Sequence, residues 1–594
     1  MAKSKKINVK NAQLDKTKKR FYDSWNYAKD SWHYRWERDW KLYNNQRVQK
    51  AYEGITNTFV PMVFSTIETM VAALGNSRPR FDWSPLDPTK QQSTEALNSL
   101  LDDFWEADRW DVKITEALRQ DLMVGTAALF FYWDIDRPRM IHFSIRDAIV
   151  DPTATSPEDL GYSGRRYLTT LEALAKYEYV DTDPDSKTYG EMVKRFKLPS
   201  KSEVAAMKTD DTDQEIKNMF MGSTMPDASD HQVECIEIWD HDEVVTMLNR
   251  NFIIETIENP YKAQDRARLE KDFADMEDGK EKAAQQAKGL LPFVFLRNYT
   301  DVSLFYAKSE IEPIASLQER LNDMDNQEGD YIIKQLAPQR WLDPVNEDWL
   351  DLINNDPDTV YPFKDGTMGY YTPPILPANS FNERMNIKNE MREATAIDQV
   401  AKGAANVKDT TATEVRAQLN QASQRIEIKA RMLEKDGFFY MGQLLFRMIQ
   451  LYITEPQVVS AEGMESLEET QFTMPSGDVL NLPKNTLVFD PAEYTGDWVP
   501  TVTLEIDSEN KKSNSKKENL QAYQILIQDP TNNLDEIKKI LLPKIFDLSQ
   551  EDIDAIITPA EPVVDPNALP TDGVPQDPAL AQVAAQAPPQ GVVV

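Results

Sequence analysis

The sequence predicts an α+β protein in which helices predominate, and three observations support this fold class. Long stretches place apolar residues three and four positions apart, which is the spacing of one buried helical face. Shorter apolar or alternating segments, such as 127–133 and 232–258, are typical of strands. With 594 residues and a hydrophobic fraction of 41%, the chain is long enough to form two to four structural units.

The predicted helices follow from their apolar spacing and from the residues that stop them. In chain order they cover residues 14–50, 58–75, 92–124, 304–335, 380–397, 412–453 and 515–557. The first is rich in Trp and Tyr, and Tyr52 and Gly54 are predicted to interrupt it. Gly75 and Gly125 are predicted to end the second and third helices. The longest stripe steps along Val415, Leu419, Ala422, Ile426, Ala430 and Leu433.

The predicted strands lie between these helices. Residues 127–133 and 141–145 predict a hairpin, 232–258 a strand pair, 291–297 a buried strand, and 470–506 a β-rich region. The proline-rich residues 338–378, with short strand-like runs, predict a small separate module. Residues 181–230 predict mostly surface structure, and 261–288 an exposed loop or helix. The tail 558–594 holds eight prolines and no aromatic residue, which predicts disorder.

Charge and composition restrict the function. The formal net charge of -32 argues against a protein that reads DNA sequence, since such proteins carry a basic footprint. It is compatible with a protein that lets DNA pass, because like-charged walls repel phosphates; the alternative is that the acidic charge only keeps a large protein soluble. No apolar run is long enough to span a membrane, and no apolar segment follows the basic N-terminus to form a signal peptide. Cys235 is the only cysteine, which excludes an intramolecular disulfide and fits a reducing cytosol.

Enzyme motifs do not emerge from the sequence. The nearest match to a phosphate-binding loop, Asp278-Gly279-Lys280, continues with Glu281 and has Ala274 where the first glycine belongs. His231, Cys235 and His241 have no zinc-site spacing and lack a fourth ligand. The acidic residues Asp210, Asp211 and Asp213 are expected to be solvated in a loop, and Asp102 and Asp103 diverge on a helix. We therefore predict no catalytic residue, cofactor or metal.

The order of four loose motifs resembles the portal proteins of tailed bacteriophages, especially those of short-tailed phages. The resemblance covers roughly residues 20–455. The motifs are Tyr52-Glu53-Gly54 leading to Pro61-Met62-Val63 and Asn76–Pro79; Gly125 with 129–133 and Val150-Asp151-Pro152; Ser309-Glu310 with Leu317-Gln318, Leu321-Asn322 and Asn326-Gln327; and Thr411–Val415. Taken singly, each could be an ordinary turn, helix stop or helix face.

The resemblance implies a mainly helical portal fold with wing, stem, clip and crown, assembled into a ring around a central channel. The segments it implies are an N-terminal arm (1–19), the wing (20–303), stem helix 1 (304–337), the clip (338–378), stem helix 2 (379–397), the tunnel loop (398–411), the long helix with the rest of the wing (412–510), the crown (511–557) and the tail (558–594).

The implied function is a non-enzymatic channel for packaging double-stranded DNA into the capsid and for its ejection. Candidate DNA contacts lie in the tunnel loop, at Lys402, Gly403, Asn406, Lys408, Thr410 and Thr411, although its lysines could also be ordinary solvated ones. Candidate partner-docking residues in the clip are Trp341, Asp343, Trp349 and Tyr361.

The implied partners are eleven further copies in a dodecamer, the large terminase subunit, tail adaptor or head-completion proteins, and the major capsid and scaffolding proteins. No membrane is expected. The implied location is one capsid vertex of the virion, with assembly in the host cytoplasm. Two alternatives remain: another virion structural protein of the head-tail junction, and an unrecognised metal-dependent nuclease or hydrolase.

Overall fold

The computed structural model describes residues 2–46, 56–75, 78–85, 94–180, 192–200, 203, 232–274, 276, 278–336, 338, 340–342, 368–370, 379–395, 425–460, 471–473, 479–481, 486–494, 496 and 498–504. The chain divides into two units, Met1–Ile506 and Asp507–Val594, and the described residues all belong to the first.

The helices contain more of the described residues than the strands do. They are α1 (Ala2–Ser31), α2 (His33–Tyr43), α3 (Met62–Gly75), α4 (Glu95–Ala107), α5 (Trp110–Val124), α6 (Leu171–Leu174), α7 (Pro260–Asp272), α8 (Gly279–Gln286), α9 (Ala315–Leu336), α10 (Asn379–Thr395) and α11 (Gly437–Tyr452). Residues 425–435 are also helical.

The strands are short and pair in antiparallel fashion. They are β1 (Arg80–Pro85), β2 (Thr126–Asp134), β3 (Arg137–Phe143), β4 (Ala148–Val150), β5 (Tyr162–Thr170), β6 (Glu178–Val180), β7 (Met192–Lys194), β8 (Gln232–Asp240), β9 (Glu243–Leu248), β10 (Phe252–Glu258), β11 (Phe293–Arg297), β12 (Tyr299–Asp301), β13 (Leu304–Lys308), β14 (Arg340–Leu342), β15 (Met368–Tyr370), β16 (Gln457–Ser460), β17 (Gln471–Thr473), β18 (Val479–Asn481), β19 (Thr486–Phe489) and β20 (Trp498–Thr503). This mixture of helices and sheets confirms the α+β class.

Two sheets organise the first unit. A three-stranded sheet has the order β11-β2-β3, and a five-stranded sheet has the order β10-β9-β8-β5-β4. The main hydrophobic core packs α2 to α5 and α11 around the three-stranded sheet, with Trp36, Trp110, Phe131, Phe295 and Phe446 buried in it. A second core packs α1 on the five-stranded sheet. Strand β1 pairs with β20, so an early and a late part of the first unit are joined in one sheet.

The predicted hairpin is confirmed as β2 and β3, and Gly125 ends α5 as predicted. Gly125 has φ +89°, in the left-handed region that favours glycine. A Cβ at this position would lie 2.1 Å from the carbonyl oxygen of Ala307 in β13. Only glycine therefore allows the turn from α5 into β2 to approach β13 so closely.

Helix breaks account for two differences from the sequence prediction. The segment predicted as one helix over 14–50 forms two helices, α1 and α2, of which the first begins at Ala2 and which are separated at Trp32. The segment predicted as one helix over 92–124 is divided into α4 and α5 at Arg109, which has φ 53°. Apolar periodicity continues across both breaks, since Trp32 and Trp110 are buried like their neighbours, so the pattern alone does not reveal them.

The prediction of a helix over 304–335 is wrong for its first residues. Residues 304–308 form β13, which pairs with β12, and the helix begins only at Ala315. The cause is burial: Phe305, Tyr306 and Ala307 are three consecutive buried residues, as in a strand enclosed on both faces.

Other predictions are refined in the same way. The pair predicted over 232–258 is three strands, the region 261–288 contains two helices, and the helix predicted over 412–453 is interrupted at Asp436 in its described part. The buried strand β11, the helix α10 and the β-rich region after 470 are confirmed. The predictions for 515–557 and 558–594, and most of 181–230, fall outside the described residues.

Candidate functional site

The side chains predicted to contact DNA or partner proteins fall outside the described residues. Trp341 is in β14, paired with Gly369 of β15, but only its backbone is described. The other predicted site residues lie outside the description: Lys402, Gly403, Asn406, Lys408, Thr410, Thr411, Asp343, Trp349 and Tyr361.

The structure does show where the two predicted segments are attached. The insert between α9 and α10 has its two ends side by side, because β14 pairs with β15. The Arg425 guanidinium donates to the carbonyl oxygens of Glu393 and Ala394, at 3.4 and 3.3 Å, near the end of α10. The described residues on either side of the predicted tunnel loop, at the end of α10 and at Arg425, therefore lie close together.

Helices α9 and α10, predicted as the stem, pack against each other. Arg384 of α10 makes ion pairs with Asp325 at 2.8 Å and Glu328 at 3.2 Å, and Arg320 pairs with Glu383. The Arg320–Glu383 and Arg384–Asp325 pairs are partly exposed, so each contributes at most about 1 kcal/mol. Glu328 is buried. The buried Ile387 and Met391 supply the apolar side of the same helix.

A row of polar side chains on α9 binds the main chain of residues 56–61, which precede α3 and which we call the strap. The Asn326 Oδ1 accepts from the Thr58 amide at 2.7 Å, and its Nδ2 donates to the Thr58 carbonyl at 3.1 Å. The Asn322 Oδ1 accepts from the Val60 amide at 3.0 Å.

The row continues at both ends. Gln318 donates to the Val60 carbonyl at 2.7 Å and accepts from the Val63 amide at 3.3 Å. At the other end, Asp330 accepts from the Thr56 amide at 2.7 Å and from its hydroxyl. These hydrogen bonds lower the pKa of Asp330. We call Gln318, Asn322, Asn326 and Asp330 the main-chain clamp.

The segment that leads into α9 is held by a second polar cluster. The Ser309 hydroxyl donates to Asp39 of α2 at 2.5 Å, and Ser309 Oγ accepts from the Glu312 amide at 3.0 Å. Burial raises the pKa of Asp39 to about 6, against the opposing charge of Arg38. The start of the predicted stem is thus attached to the N-terminal helices.

Glu310, the next residue in the chain, connects this segment to the helical residues 425–435. Its carboxylate pairs with Lys429 in the helical residues 425–435, and Asn298 Nδ2 donates to it at 3.3 Å. Lys429 also donates to Asn298 Oδ1 at 2.8 Å. We call Glu310, Lys429, Asn298 and the neighbouring Asp121 the buried charge cluster.

The interior environment shifts the protonation of this cluster. Burial lowers the pKa of Lys429 to about 8, while Asp121 opposes that shift. Burial also raises the pKa of Asp121 well above its usual value, although Lys429 lowers it. The contact between Lys429 and Glu310 is nevertheless direct, so desolvation and pairing act in opposite directions here.

The sequence motif Ser309-Glu310, Leu317-Gln318, Leu321-Asn322 and Asn326-Gln327 marked many of these residues, but not what they do. Apart from the exposed Gln327, its polar members belong to the clamp or to the two clusters and are not an ordinary solvated helix face. The missed signal is the four-residue spacing of Gln318, Asn322, Asn326 and Asp330.

Of the residues considered as metal ligands, Cys235 and His241 are described, whereas His231, Asp210, Asp211 and Asp213 lie outside the described residues. Cys235 is buried in the five-stranded sheet, and His241 contacts the Gly289 carbonyl at 2.7 Å. Among described residues, no group of three or more His, Cys, Asp or Glu side chains could hold a metal ion. No described helix is both long and apolar enough to cross a bilayer.

Comparison with known proteins identifies one family. The model of the family described as Phage SU10 portal protein matches residues 273–468, about a third of the chain. The matched region contains α9, α10, α11, the insert and the helical residues 425–435. No curated protein matches the chain. The family match confirms what the sequence motifs indicate, that this chain resembles the portal proteins of bacteriophages.

Proposed function

We propose that this chain is the subunit of a ring at one capsid vertex, through which double-stranded DNA is packaged and later ejected. The family match carries the proposal, because it covers the two helices, the insert between them and the helix that follows. A phage portal is a structural component of the virion, so we propose no enzymatic activity. A separate ATPase then supplies the energy.

In this proposal α9 and α10 form the stem, and the insert 338–378 forms the clip at its far end. The ion pairs of Arg384 support the first assignment, because they hold the two helices together. The pairing of β14 with β15 supports the second, because it closes the base of the insert. We assign residues 20–303, together with part of 412–510, to the wing.

The clip is proposed as the docking platform for the large terminase subunit and then for adaptor or head-completion proteins. Trp341, Asp343, Trp349 and Tyr361 are the residues we assign to that contact. Binding of a purified terminase subunit to assembled rings tests this assignment, and binding that survives deletion of residues 343–367 would contradict it.

Ring assembly is the first measurement. We expect mass photometry of the full chain to show particles near twelve times the 68.1 kDa subunit mass, and electron microscopy to show an open central channel. A monomer or dimer at all concentrations would contradict the proposal. Cleavage of DNA with magnesium by such a species would favour the nuclease alternative.

The tunnel loop is the proposed contact with DNA. Lys402 and Lys408 flank small and polar residues, and a loop of that composition can approach phosphates while the acidic remainder repels them. We assign Gly403, Asn406, Thr410 and Thr411 to the same surface.

Replacing both loop lysines, Lys402→Gln with Lys408→Gln, should weaken duplex binding by assembled rings and make it less dependent on salt. The reason is that each phosphate contact releases counterions, which sets the slope of affinity against salt concentration. Binding of a fluorescent duplex across a salt series measures this slope. Lys435→Gln, an exposed lysine on the following helix, is the matched control. An unchanged slope in the loop variant would exclude these contacts.

A further inference from the structure

The strap has its main-chain groups bound by side chains of α9. The amides of Thr56, Thr58 and Val60 donate to Asp330, Asn326 and Asn322 in turn, so every second residue of the strap meets every fourth residue of the helix. The partners are 262 to 274 residues apart in the chain. The contact therefore joins two separate parts of the fold.

The spacing of the paired residues along the strap matches their spacing along α9. Two residues of an extended chain advance by about 6.6 Å, and four residues of a helix advance by about 6.0 Å. An extended segment can therefore run along one helical face, with successive amides reaching successive side chains. The order of the pairs shows that the strap runs antiparallel to α9.

The strap lies close to α9, and most of the clamp side chains are buried beneath it. Gly329 lies beside the Thr56–Asp330 pair, and a Cβ on Gly329 would lie 3.3 Å from Thr56 Cγ2. The absence of a side chain at Gly329 therefore leaves room for the strap. Gln318, Asn322 and Asn326 are at most 3% exposed. Buried amide side chains without partners would be unfavourable, so the strap and the clamp satisfy each other.

The strap leads directly into α3, which packs against α5 in the main core. We infer that Gln318, Asn322, Asn326 and Asp330 are positioning residues that fix the direction of α9 relative to this core. The inference rests on the proposed function, in which α9 lines or supports the channel wall. The clamp then sets the tilt of the stem, and through it the width of the channel.

Hydrogen exchange on the full chain tests the clamp directly. In the wild-type protein the amides of Thr56, Thr58 and Val60 should exchange slowly, and those of Asn57 and Phe59, which alternate with them, should exchange faster. Asn326→Ala should accelerate exchange at Thr58 by roughly threefold to tenfold, since one main-chain hydrogen bond is lost. Gln327→Ala, the exposed neighbour on α9, should leave the pattern unchanged. Equal exchange in both variants would overturn the clamp.

Electron microscopy of the same variants separates the clamp from the proposed function. If rings form, Asn326→Ala should change the angle between α9 and the core and alter the channel diameter, while Gln327→Ala rings keep the wild-type dimensions. Unchanged angle and diameter in Asn326→Ala rings would overturn the positioning role. Failure of both the wild type and the variants to form rings would contradict the channel and the positioning role together. Exchange that still follows the expected pattern would then confirm only the hydrogen bonds between the clamp and the strap.

Discussion

At the scale of single residues, Lys429 places a positive charge in the interior next to Glu310 and Asp121. The Lys429 side chain is 10% exposed and that of Glu310 is 1% exposed. A charge in such a place is tolerated only with a partner, because removing it from water costs several kcal/mol. The pair also connects the helical residues 425–435 to the segment just before α9. The pair thus joins the residues that precede the predicted stem to the helix that follows the predicted tunnel loop.

Lys429→Met should lower the free energy of unfolding by about 3 kcal/mol, since Glu310 would remain buried without its cation. Adding Glu310→Gln should recover part of that loss, because the uncompensated charge is then removed. Denaturant unfolding at neutral pH measures both variants. Lys435→Met, on the exposed side of the same helix, should change stability by less than about 0.5 kcal/mol. Strictly additive effects of the two substitutions would show that the pair is not coupled.

At the scale of elements, Gly125 controls how α5, β2 and β13 meet. The glycine combines a positive φ with a close approach of the Ala307 carbonyl, and either alone disfavours a side chain. The β2 and β13 strands can therefore lie together only because this position lacks a Cβ. The segment 309–312 and the start of α9 follow directly from β13.

Gly125→Ala should lower the free energy of unfolding by at least about 2 kcal/mol, because the left-handed conformation alone costs about 1–2 kcal/mol for alanine. Gly75→Ala is the matched control at the end of α3, where the nearest atom would be 3.7 Å away in ordinary contact. The control should change stability by less than about 1 kcal/mol. Thermal or denaturant unfolding distinguishes the two, and equal losses would contradict the role of the close approach.

At the scale of the whole molecule, three attachments hold the predicted stem to the rest of the described fold. The clamp binds α9 to the strap, Ser309 binds Asp39 of α2, and Glu310 binds Lys429 of the helical residues 425–435. All three involve buried polar groups rather than apolar contact alone. In a ring of such subunits, this arrangement would fix each stem relative to its own core.

The net charge of -32 is also a property of the whole chain. Within the described fold, many acidic residues are paired, as Asp240 is with Arg20 at 2.7 Å. Surface electrostatics can affect how DNA moves near the protein but do not determine the fold. If the chain forms the proposed channel, its acidic charge would let DNA cross without sequence recognition.

The order and type of most elements could be predicted from the sequence, because apolar periodicity is local. Helices α3 and α10, the β2–β3 hairpin and strand β11 follow from residues within a few positions of one another. Helix breaks at Trp32 and Arg109 could not be predicted, since the apolar spacing continues through them. The strand 304–308 could not be distinguished from a helix, because a short apolar run fits both.

The roles of the polar motif residues were decided only by the tertiary structure. The sequence marked Ser309, Glu310, Gln318, Asn322 and Asn326 as a pattern shared with a family, but their partners lie far away in the chain. A polar residue on a helix face is solvated unless a distant segment covers it, and local spacing does not show what covers it. The strap, residues 56–61, covers the clamp side chains, and the buried Lys429 covers Glu310. The physical reason is that the chemistry of a polar side chain is set by its burial and its partner, and both exist only once the chain has folded.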